Sequence, residues 1–297
     1  MKKSIQIIIV LSMMLITANS FAQKLTPYIK VGTSTKSVSE LSIEIKEALK
    51  TNNFIYLGQY SPEGNKNLKV ITFTSKSIMN TVLKVKDRGA LAAILKIALV
   101  KKGNNVTISY INPDYLFNAF LRADYDKYAV ALKKVSTDLK KTLTSYSFDF
   151  TGFGGEITAK ELRKYHYKVM MPYFSDPVEL NKFSSFEEGV KTIQKNLKAK
   201  KGNTKKVYEL VFNNKKIAVF GVALTDKEKG EAMFLPIIGE DNIAAMPYQI
   251  ILQGKTATIL HGRYGLAVHW LELTMGTFMK IMSTPGYIKD TLEALTK

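Results

Sequence analysis

The chain has 297 residues, of which 46% are hydrophobic and 23% charged, proportions that are ordinary for a globular protein. A wholly disordered chain, a collagen and a coiled-coil rod are therefore excluded, and about 150 residues per domain suggests two domains. The net charge of +18 comes from 39 lysines and four arginines (43 − 4 = 39) against 25 acids, and there is no cysteine. The missing cysteines exclude disulfides, thiolate catalysis and cysteine metal sites. Arginine is the residue that usually makes bidentate hydrogen bonds to phosphates and guanines, and most basic residues here are scattered lysines. We therefore expect a solvated surface and no specific binding of nucleic acid. Loose attraction to an anionic membrane or polysaccharide is the alternative.

Residues 1–22 have the pattern of a secretory signal peptide. Lys2 and Lys3 precede a mostly apolar run over 5–18, and Ser20-Phe21-Ala22 is a small-x-small cleavage site before Gln23. The run is shorter than the 20 or so residues that span a bilayer. We expect export to the periplasm or the extracellular space, cleavage near Ala22/Gln23, and no transmembrane span in the mature protein.

The next 130 residues predict helices and strands of one α+β domain. Ser37 and Glu40 form a capping box before an amphipathic helix over 38–50. Strands are predicted at 54–57, 68–73 and 105–111, and 90–100 reads equally as a helix or a buried strand. Pro113 stops the last strand. A second amphipathic helix follows, marked by Tyr128, Leu132, Val135, Leu139 and Leu143.

The glycine-rich stretch 151–155 marks the predicted domain boundary. We expect a first domain over 23–150, a linker over 151–157 and a second domain over 158–297. Thr158 and Glu161 start a short helix, and a strand is expected at 167–174. A helix with apolar residues Phe186, Val190, Ile193 and Leu197 follows, then strands at about 206–212, 216–224, 247–253 and 255–270. Pro285 sits in the first turn of a final helix.

The two predicted domains share an element order and a short sequence match. Residues 91–112 (LAAILKIALVKKGNNVTISYIN) and 243–263 (IAAMPYQIILQGKTATILHGR) align Ala92-Ala93 with Ala244-Ala245, Gly103 with Gly254, and Thr107-Ile108 with Thr258-Ile259. We interpret the chain as tandem copies of one α+β domain. Chance similarity between two β-rich stretches is the alternative.

The segment LAAILKIALV, a turn and VTISYINPDYL resembles the domain-of-unknown-function family 302 (DUF302), whose members carry an Ala-Ala segment, a glycine turn and a Ser-Tyr-x-x-Pro-x-Tyr-Leu ending. The resemblance covers most of 28–145 and, more faintly, 167–297, where His261-Gly262-Arg263-Tyr264 replaces the matching segment. It implies a TATA-binding-protein-like β-α-β4-α fold, in which a curved antiparallel sheet packs against helices, and it implies no established reaction.

Two groups of residues are candidate binding sites. In the first copy, Tyr110, Asn112, Asp114 and Tyr115 surround Pro113 at a strand end, where they either bind a polar ligand or lock the turn by hydrogen bonds to the backbone. In the second copy, His261, Arg263 and His269, with Tyr264 between them, have odd spacing, so one regular strand would place the three on the same face. A hydrolase using that face is one alternative, and a polar sheet face with a satisfied histidine is the other.

No arrangement in the sequence predicts a catalytic residue, a metal site or a cofactor. Methionines cluster over 275–282, which suits either an apolar pocket or ordinary core. We therefore expect an exported, non-enzymatic envelope protein that binds a small apolar or amphipathic ligand, or an envelope partner protein. A structural envelope component is a further alternative, and the sequence leaves the oligomeric state open.

Overall fold

The structure is a computed structural model, and it describes residues 24–297. The predicted signal peptide over 1–22 and its cleavage site lie outside the described residues. We call residues 24–153 the first half, residues 178–297 the second half, and residues 154–177 the connecting segment.

The first half contains a six-stranded antiparallel sheet with strand order β3-β4-β5-β6-β2-β7. The strands are β1 (Lys24–Leu25), β2 (Tyr28–Ser34), β3 (Ile55–Tyr60), β4 (Leu68–Thr74), β5 (Leu95–Lys102), β6 (Asn105–Ile111) and β7 (Thr151–Phe153). The helices are α1 (Val38–Thr51), α2 (Lys76–Val82), α3 (Pro113–Leu121) and α4 (Tyr125–Leu143). Strand β1 stands outside this sheet and pairs with β8 (Ile157–Thr158) of the connecting segment.

Local sequence explains most of these elements. The Ser37 and Glu40 side chains each bond the other's backbone N–H, so the predicted capping box starts α1. The ambiguous run 90–100 is split, because a 3-10 turn over Gly89–Ala93 leads into β5. Positions 95–100 of β5 are buried on both faces, which is why the strand lacks apolar–polar alternation. Pro113 ends β6 and also begins α3, a helix that the sequence reading missed.

The second half contains a five-stranded antiparallel sheet with strand order β10-β11-β12-β13-β9. The strands are β9 (Val178–Lys182), β10 (Thr204–Phe212), β11 (Ile217–Leu224), β12 (Tyr248–Gln253) and β13 (Thr256–Ile259). The helices from the connecting segment onwards are α5 (Ala159–Leu162), α6 (Phe186–Lys198), α7 (Glu231–Ile238), α8 (Gly262–His269), α9 (Met275–Lys280) and α10 (Thr284–Ala294). The predicted α+β class, with antiparallel sheets packed against helices, is confirmed.

Two predicted strands are wrong. The segment 167–174 forms no strand, and the next strand along the chain is β9 of the second half. The predicted strand over 255–270 ends at Ile259, and α8 occupies 262–269. The predicted linker over 151–157 supplies β7, which pairs with β2, and the start of β8, which pairs with β1.

The two halves pack by a reciprocal exchange of 3-10 segments. The segment Glu240–Ala245 of the second half packs on β4, β5 and β6, and Gly89–Ala93 of the first half packs on β11 and β12. Lys96 Nζ donates a hydrogen bond to the carbonyl oxygen of Ala245 at 2.9 Å, and Gln249 Nε2 donates to the carbonyl oxygen of Leu91 at 3.3 Å. Helices cover the opposite faces, with α1 on the first sheet and α6 on the second. Across residues 24–297, none of the helices combines the length and the apolar character that crossing a membrane requires.

Candidate functional site at Phe174

The first predicted group fixes a turn and a contact between the halves. Asn112 is the N-cap of α3: its Oδ1 accepts from Asp114 N at 3.1 Å, and its Nδ2 donates to the carbonyl oxygen of Thr26 at 2.9 Å. Asp114 accepts from Ser136 Oγ at 2.8 Å, and burial raises the pKa of Asp114. Tyr110 is buried, and burial raises its pKa as well. These contacts match the turn-locking alternative.

Tyr115 and two other tyrosines bond the C-terminal end of α8. The last carbonyls of a helix have no partner within the helix. Here Tyr115 Oη donates to Val268 O at 2.7 Å, Tyr28 Oη to His269 O at 2.8 Å, and Tyr165 Oη to Ala267 O at 3.0 Å. The first half and the connecting segment thus satisfy carbonyl groups of the second half.

The second predicted group does not share one face. His261 is the N-cap of α8, and its Nδ1 accepts from Arg263 N at 3.2 Å. Burial and the charge of Arg263 lower the pKa of His261, while Asp176 acts in the opposite direction. His269 is buried at the other end of α8, about 12 Å along a helix that rises 1.5 Å per residue. The prediction that His261, Arg263 and His269 lie on one strand face is therefore wrong, because the chain becomes helical after Ile259.

Two of the four arginines, Arg88 and Arg122, lie instead around one aromatic ring of the connecting segment. The Cζ atoms of Arg88 and Arg122 lie 4.4 Å and 4.5 Å from the ring centre of Phe174. Asp87 bonds both guanidinium groups, Arg88 through Nε at 2.8 Å and Arg122 through Nη2. Arg163 is held by a bidentate pair with Asp126. Such arginine–aromatic contacts contribute about 0.5–2 kcal/mol each.

A cavity of about 280 Å³ opens beside this ring. Its wall consists of Arg122, Arg163, Lys164, Tyr165, Tyr173, Phe174, Ser175 and Tyr264. The aromatic wall is preorganised, because the Tyr264 ring packs edge-on against Phe174 at 5.9 Å and against Tyr165 at 6.1 Å. Of the predicted site residues, Tyr264 alone lines this cavity.

The arginine pair beside the cavity is electropositive and contains unpartnered hydrogen-bond donors. Burial acts to raise the pKa of Asp87, yet that pKa lies below its ordinary value because Arg88 and Arg122 bond and attract the carboxylate. Burial raises the pKa of Tyr264, which the same two arginines partly oppose. Arg88 Nη1 and Arg122 Nε are buried and have no hydrogen-bond partner. Buried donors without a partner cost free energy, and such groups call for an explanation.

Both arginines also have strained backbones. Arg88 has φ 55° and ψ 22°, and Arg122 has φ 52° and ψ −122°, in the region that side-chain-bearing residues rarely adopt. Each such residue costs on the order of 1–3 kcal/mol, and strain of this kind clusters at functional sites. The fold therefore holds the two guanidinium groups beside Phe174 at a cost.

Sequence reasoning missed this arginine cluster. Arg88, Arg122 and Arg163 lie in different segments, and only the fold brings the first two to Phe174 and Arg163 to the wall of the adjacent cavity. A signal was present in the composition, because the chain has 39 lysines and only four arginines. The few arginines indicate positions where a planar guanidinium group, and not an ammonium group, makes the contact.

The methionine-rich segment lines no part of this cavity. Met275, Met279 and Met282 are 44–56% exposed, while Phe278 and Ile281 supply the buried contacts of that segment. Within residues 24–297 no group of three or more histidine, aspartate or glutamate side chains is placed to hold a metal ion.

Comparison with known proteins finds similarity only among solved structures. No family model matches the chain, and no curated protein is significantly similar to it. The chain is similar to the crystal structure of an uncharacterized conserved protein DUF302 from Bacillus stearothermophilus, with 17% identity and a TM-score of 0.30. The match covers 41% of this chain and 93% of that one.

Proposed function

We propose that this protein is a non-enzymatic binding protein and that the Phe174 cavity takes a small amphipathic anion. The ligand class is a single aromatic or apolar ring that bears a carboxylate or a phosphate. A volume of about 280 Å³ lies at the small end of ligand pockets, which favours one ring over a larger molecule.

The observation that carries the proposal is the Arg122 side chain, which lines the cavity, is 28% exposed and stacks on Phe174. An incoming carboxylate or phosphate can accept a hydrogen bond from the exposed part of this guanidinium, and a hydrogen bond to a charged group contributes about 1.5–3 kcal/mol. Phe174, Tyr165 and Tyr264 supply the apolar surface for the ring.

We further propose that the two halves are tandem DUF302-like copies. Five strands of the first sheet, β3-β4-β5-β6-β2, follow the same order as β10-β11-β12-β13-β9 of the second. Each sheet also carries a bulge at its first edge strand, between Tyr56 and Gly58 in β3 and between Lys206 and Tyr208 in β10. When the paired residues of the two sheets are counted from these bulges, Lys96 and Gln249 fall at equivalent positions. These two side chains make the reciprocal hydrogen bonds between the halves.

The site segments support the same equivalence. Asn112 follows β6 and His261 follows β13, strands that hold the same place in the order of their sheets, and each residue caps the next helix through a side-chain bond to the N–H two residues on. Tyr115 and Tyr264 then occupy matching positions, three residues after the cap. This structural match pairs residues of the second half that lie two positions away from those paired in the sequence alignment. The difference arises because the β12–β13 hairpin is shorter than the β5–β6 hairpin.

We also propose that the predicted signal peptide directs export of the protein to the periplasm or the extracellular space. Fractionating cells that express the full chain, together with N-terminal sequencing of the product, tests this step. A product that begins near Gln23 outside the cytoplasm supports it, and an uncleaved cytoplasmic product contradicts it.

Ligand binding is tested by thermal unfolding with benzoate, phenylacetate and phenyl phosphate, followed by calorimetric titration of the ligand that raises Tm most. We expect a saturable Tm rise for the wild type. Arg122→Met should weaken the binding by about 10–100-fold, the equivalent of one charged hydrogen bond.

Two further variants separate binding from folding. Tyr173→Ala removes a 46% exposed wall ring without touching the arginine–aspartate bonds, and it should weaken binding. Lys198→Gln removes one exposed charge outside the cavity and should bind like the wild type. The proposal is wrong if none of the three anions raises Tm, or if all variants bind equally.

A further inference from the structure

Two neighbouring apolar side chains of the connecting segment point into water. Val169 is 85% exposed and Met170 is 98% exposed, and we call this pair the apolar tip. Single apolar residues on a protein surface are ordinary. This pair differs because it is consecutive in the chain and because the residues on both sides of it are fixed by contacts.

Aromatic side chains hold the loop that carries the apolar tip. The rings of His166 and Tyr173 lie 4.5 Å apart, so they close the base of the loop from its two sides. Tyr167 Oη donates a hydrogen bond to Leu273 O at 2.7 Å, and the Tyr167 ring lies 6.1 Å from the ring of Phe278 in α9. The incoming side of the loop is therefore braced against α9.

The turn at the apolar tip has a backbone conformation that costs free energy. Met170 has φ 65°, in the region that side-chain-bearing residues rarely adopt. Met171 N donates to Lys168 O at 3.0 Å, and His166 Nδ1 lies 2.9 Å from the same oxygen. Strain of this kind clusters at functional sites. The loop thus holds its two most exposed apolar side chains outward by contacts that do not involve them.

The apolar tip also lies in a cationic part of the chain. The stretch between Glu161 and Asp176 contains Arg163, Lys164 and Lys168 and no acid. Arg163 is held in an ion pair, whereas Lys164 and Lys168 are exposed. In the part of the chain that the structure describes, neither lysine forms an ion pair. Their charges are therefore available to an anionic partner.

We propose that the apolar tip docks this protein on the surface of an anionic lipid bilayer. Val169 and Met170 enter the boundary between headgroups and acyl chains, and Lys164 and Lys168 stay with the anionic headgroups. Tyrosines are enriched at the level of the headgroups, where Tyr173 would lie. Apolar insertion and lysine attraction are each weak, and stable membrane binding ordinarily needs two such signals together.

The shape and charge of the loop fit a bilayer better than a protein partner. A stable protein interface buries about 800 Å² on each partner, and even an aromatic side chain contributes only roughly 150–250 Å². Two aliphatic side chains on a narrow loop fall well short of that area, whereas a fluid bilayer accepts a narrow insertion. The excess of 43 basic over 25 acidic residues in the whole chain adds long-range attraction to an anionic surface.

The test is flotation with lipid vesicles, using protein that begins at Gln23 so that the apolar run over 5–18 cannot itself bind lipid. Vesicles of phosphatidylcholine alone are compared with vesicles that also contain phosphatidylglycerol. We expect binding to the anionic vesicles, weakened by salt. The double variant Val169→Ser/Met170→Ser should weaken it by about tenfold or more, since burying one such side chain corresponds to about that factor.

Matched variants separate the apolar tip from general surface effects. Val130→Ser removes an 88% exposed valine of α4 and should bind vesicles like the unaltered protein. Lys168→Gln should weaken binding by about fivefold, the equivalent of one lysine near an anionic surface. Lys198→Gln, which removes an exposed lysine outside the loop, should have a smaller effect than Lys168→Gln.

A fluorescent label gives a readout that charge attraction alone does not change. The chain has no cysteine, so Met170→Cys supplies a single thiol for an environment-sensitive dye. We expect the emission of this dye to shift to the blue on anionic vesicles, because the dye leaves water. The same dye at Val130→Cys should show no shift.

Four results overturn the proposal: no vesicle binding, equal binding to both kinds of vesicle, equal binding by the double variant, or an unshifted dye at position 170 on bound protein. Self-association in light scattering that the double variant abolishes also overturns it, because the tip would then contact a second copy. Val169 and Met170 line no part of the Phe174 cavity, so this proposal and the ligand proposal succeed or fail separately.

Discussion

Glu231 ties the two halves together through a carboxyl group buried at their contact. The residue begins α7 and is 1% exposed. Its Oε1 accepts from Tyr60 Oη at 3.0 Å and from Leu224 N at 3.2 Å, and its Oε2 accepts from Glu63 N at 3.3 Å. Tyr60 and Glu63 belong to the first half, so the carboxyl group bridges both halves.

Burial raises the pKa of Glu231 to about 8, and the charge of Glu63 adds to the shift while the three hydrogen bonds oppose it. The folded protein therefore holds a proton on Glu231 that the unfolded chain releases above its ordinary pKa of 4.5. Between these two values the unfolded state binds fewer protons, so the free energy of unfolding falls as pH rises. The contribution of Glu231 to the free energy of unfolding is full below pH 4.5 and is lost by about pH 8.

The size of the effect follows from the shift. One pKa unit corresponds to about 1.36 kcal/mol, so the difference between 4.5 and about 8 corresponds to roughly 5 kcal/mol. Glu231→Gln keeps the shape but removes the titration. The wild type should lose about 4 kcal/mol more stability than this variant between pH 5 and pH 8.

Urea unfolding at pH 5, 6, 7 and 8 measures this difference directly. Subtracting the variant curve from the wild-type curve removes the titration of every other group. Glu47→Gln, an exposed glutamate of α1, is the matched control and should keep the wild-type slope. If the wild type and Glu231→Gln show the same pH slope, the carboxyl group is solvated and the reasoning from burial is refuted.

Other predictions follow from single contacts. Tyr115→Phe should lower the free energy of unfolding by about 1–3 kcal/mol in urea unfolding, because Val268 O loses its buried partner; an unchanged value would mean that water replaces the hydroxyl. Gly58→Ala should destabilise the fold strongly, because the new Cβ would lie 2.0 Å from Val207 O. Gly265→Ala, in helix α8 with open space around it, should instead raise stability by about 0.5–1 kcal/mol in the same assay. Equal effects of the two alanines would contradict the close approach of β3 and β10.

The sequence predicted the fold class because its signals are local. The capping box at Ser37, the apolar stripe of α4 and the strands around the Gly103 turn depend on neighbours within one element. The strand over 255–270 was predicted wrongly because its alternating pattern runs on past Ile259, where Gly262 packs against Pro285 and α8 begins. Tertiary packing there overrides local pattern.

The candidate site was mostly beyond sequence reasoning. Tyr264 was predicted, whereas Arg88, Arg122 and Phe174 are far apart in the chain and meet only in the fold. His269 was predicted to share a strand face with His261 and Arg263; its actual setting is the buried end of α8 beside Trp270. The candidate site is therefore assembled by long-range contacts, which a sequence pattern does not show.

The exchanged 3-10 segments make each half dependent on the other. Without Glu240–Ala245, β5 would expose an apolar surface to water, and β11 and β12 would lose Gly89–Ala93 in the same way. A single half expressed alone should consequently self-associate, with one copy donating its segment to the next. The covalent connection between the two halves fixes this pairing within one chain and makes assembly independent of protein concentration.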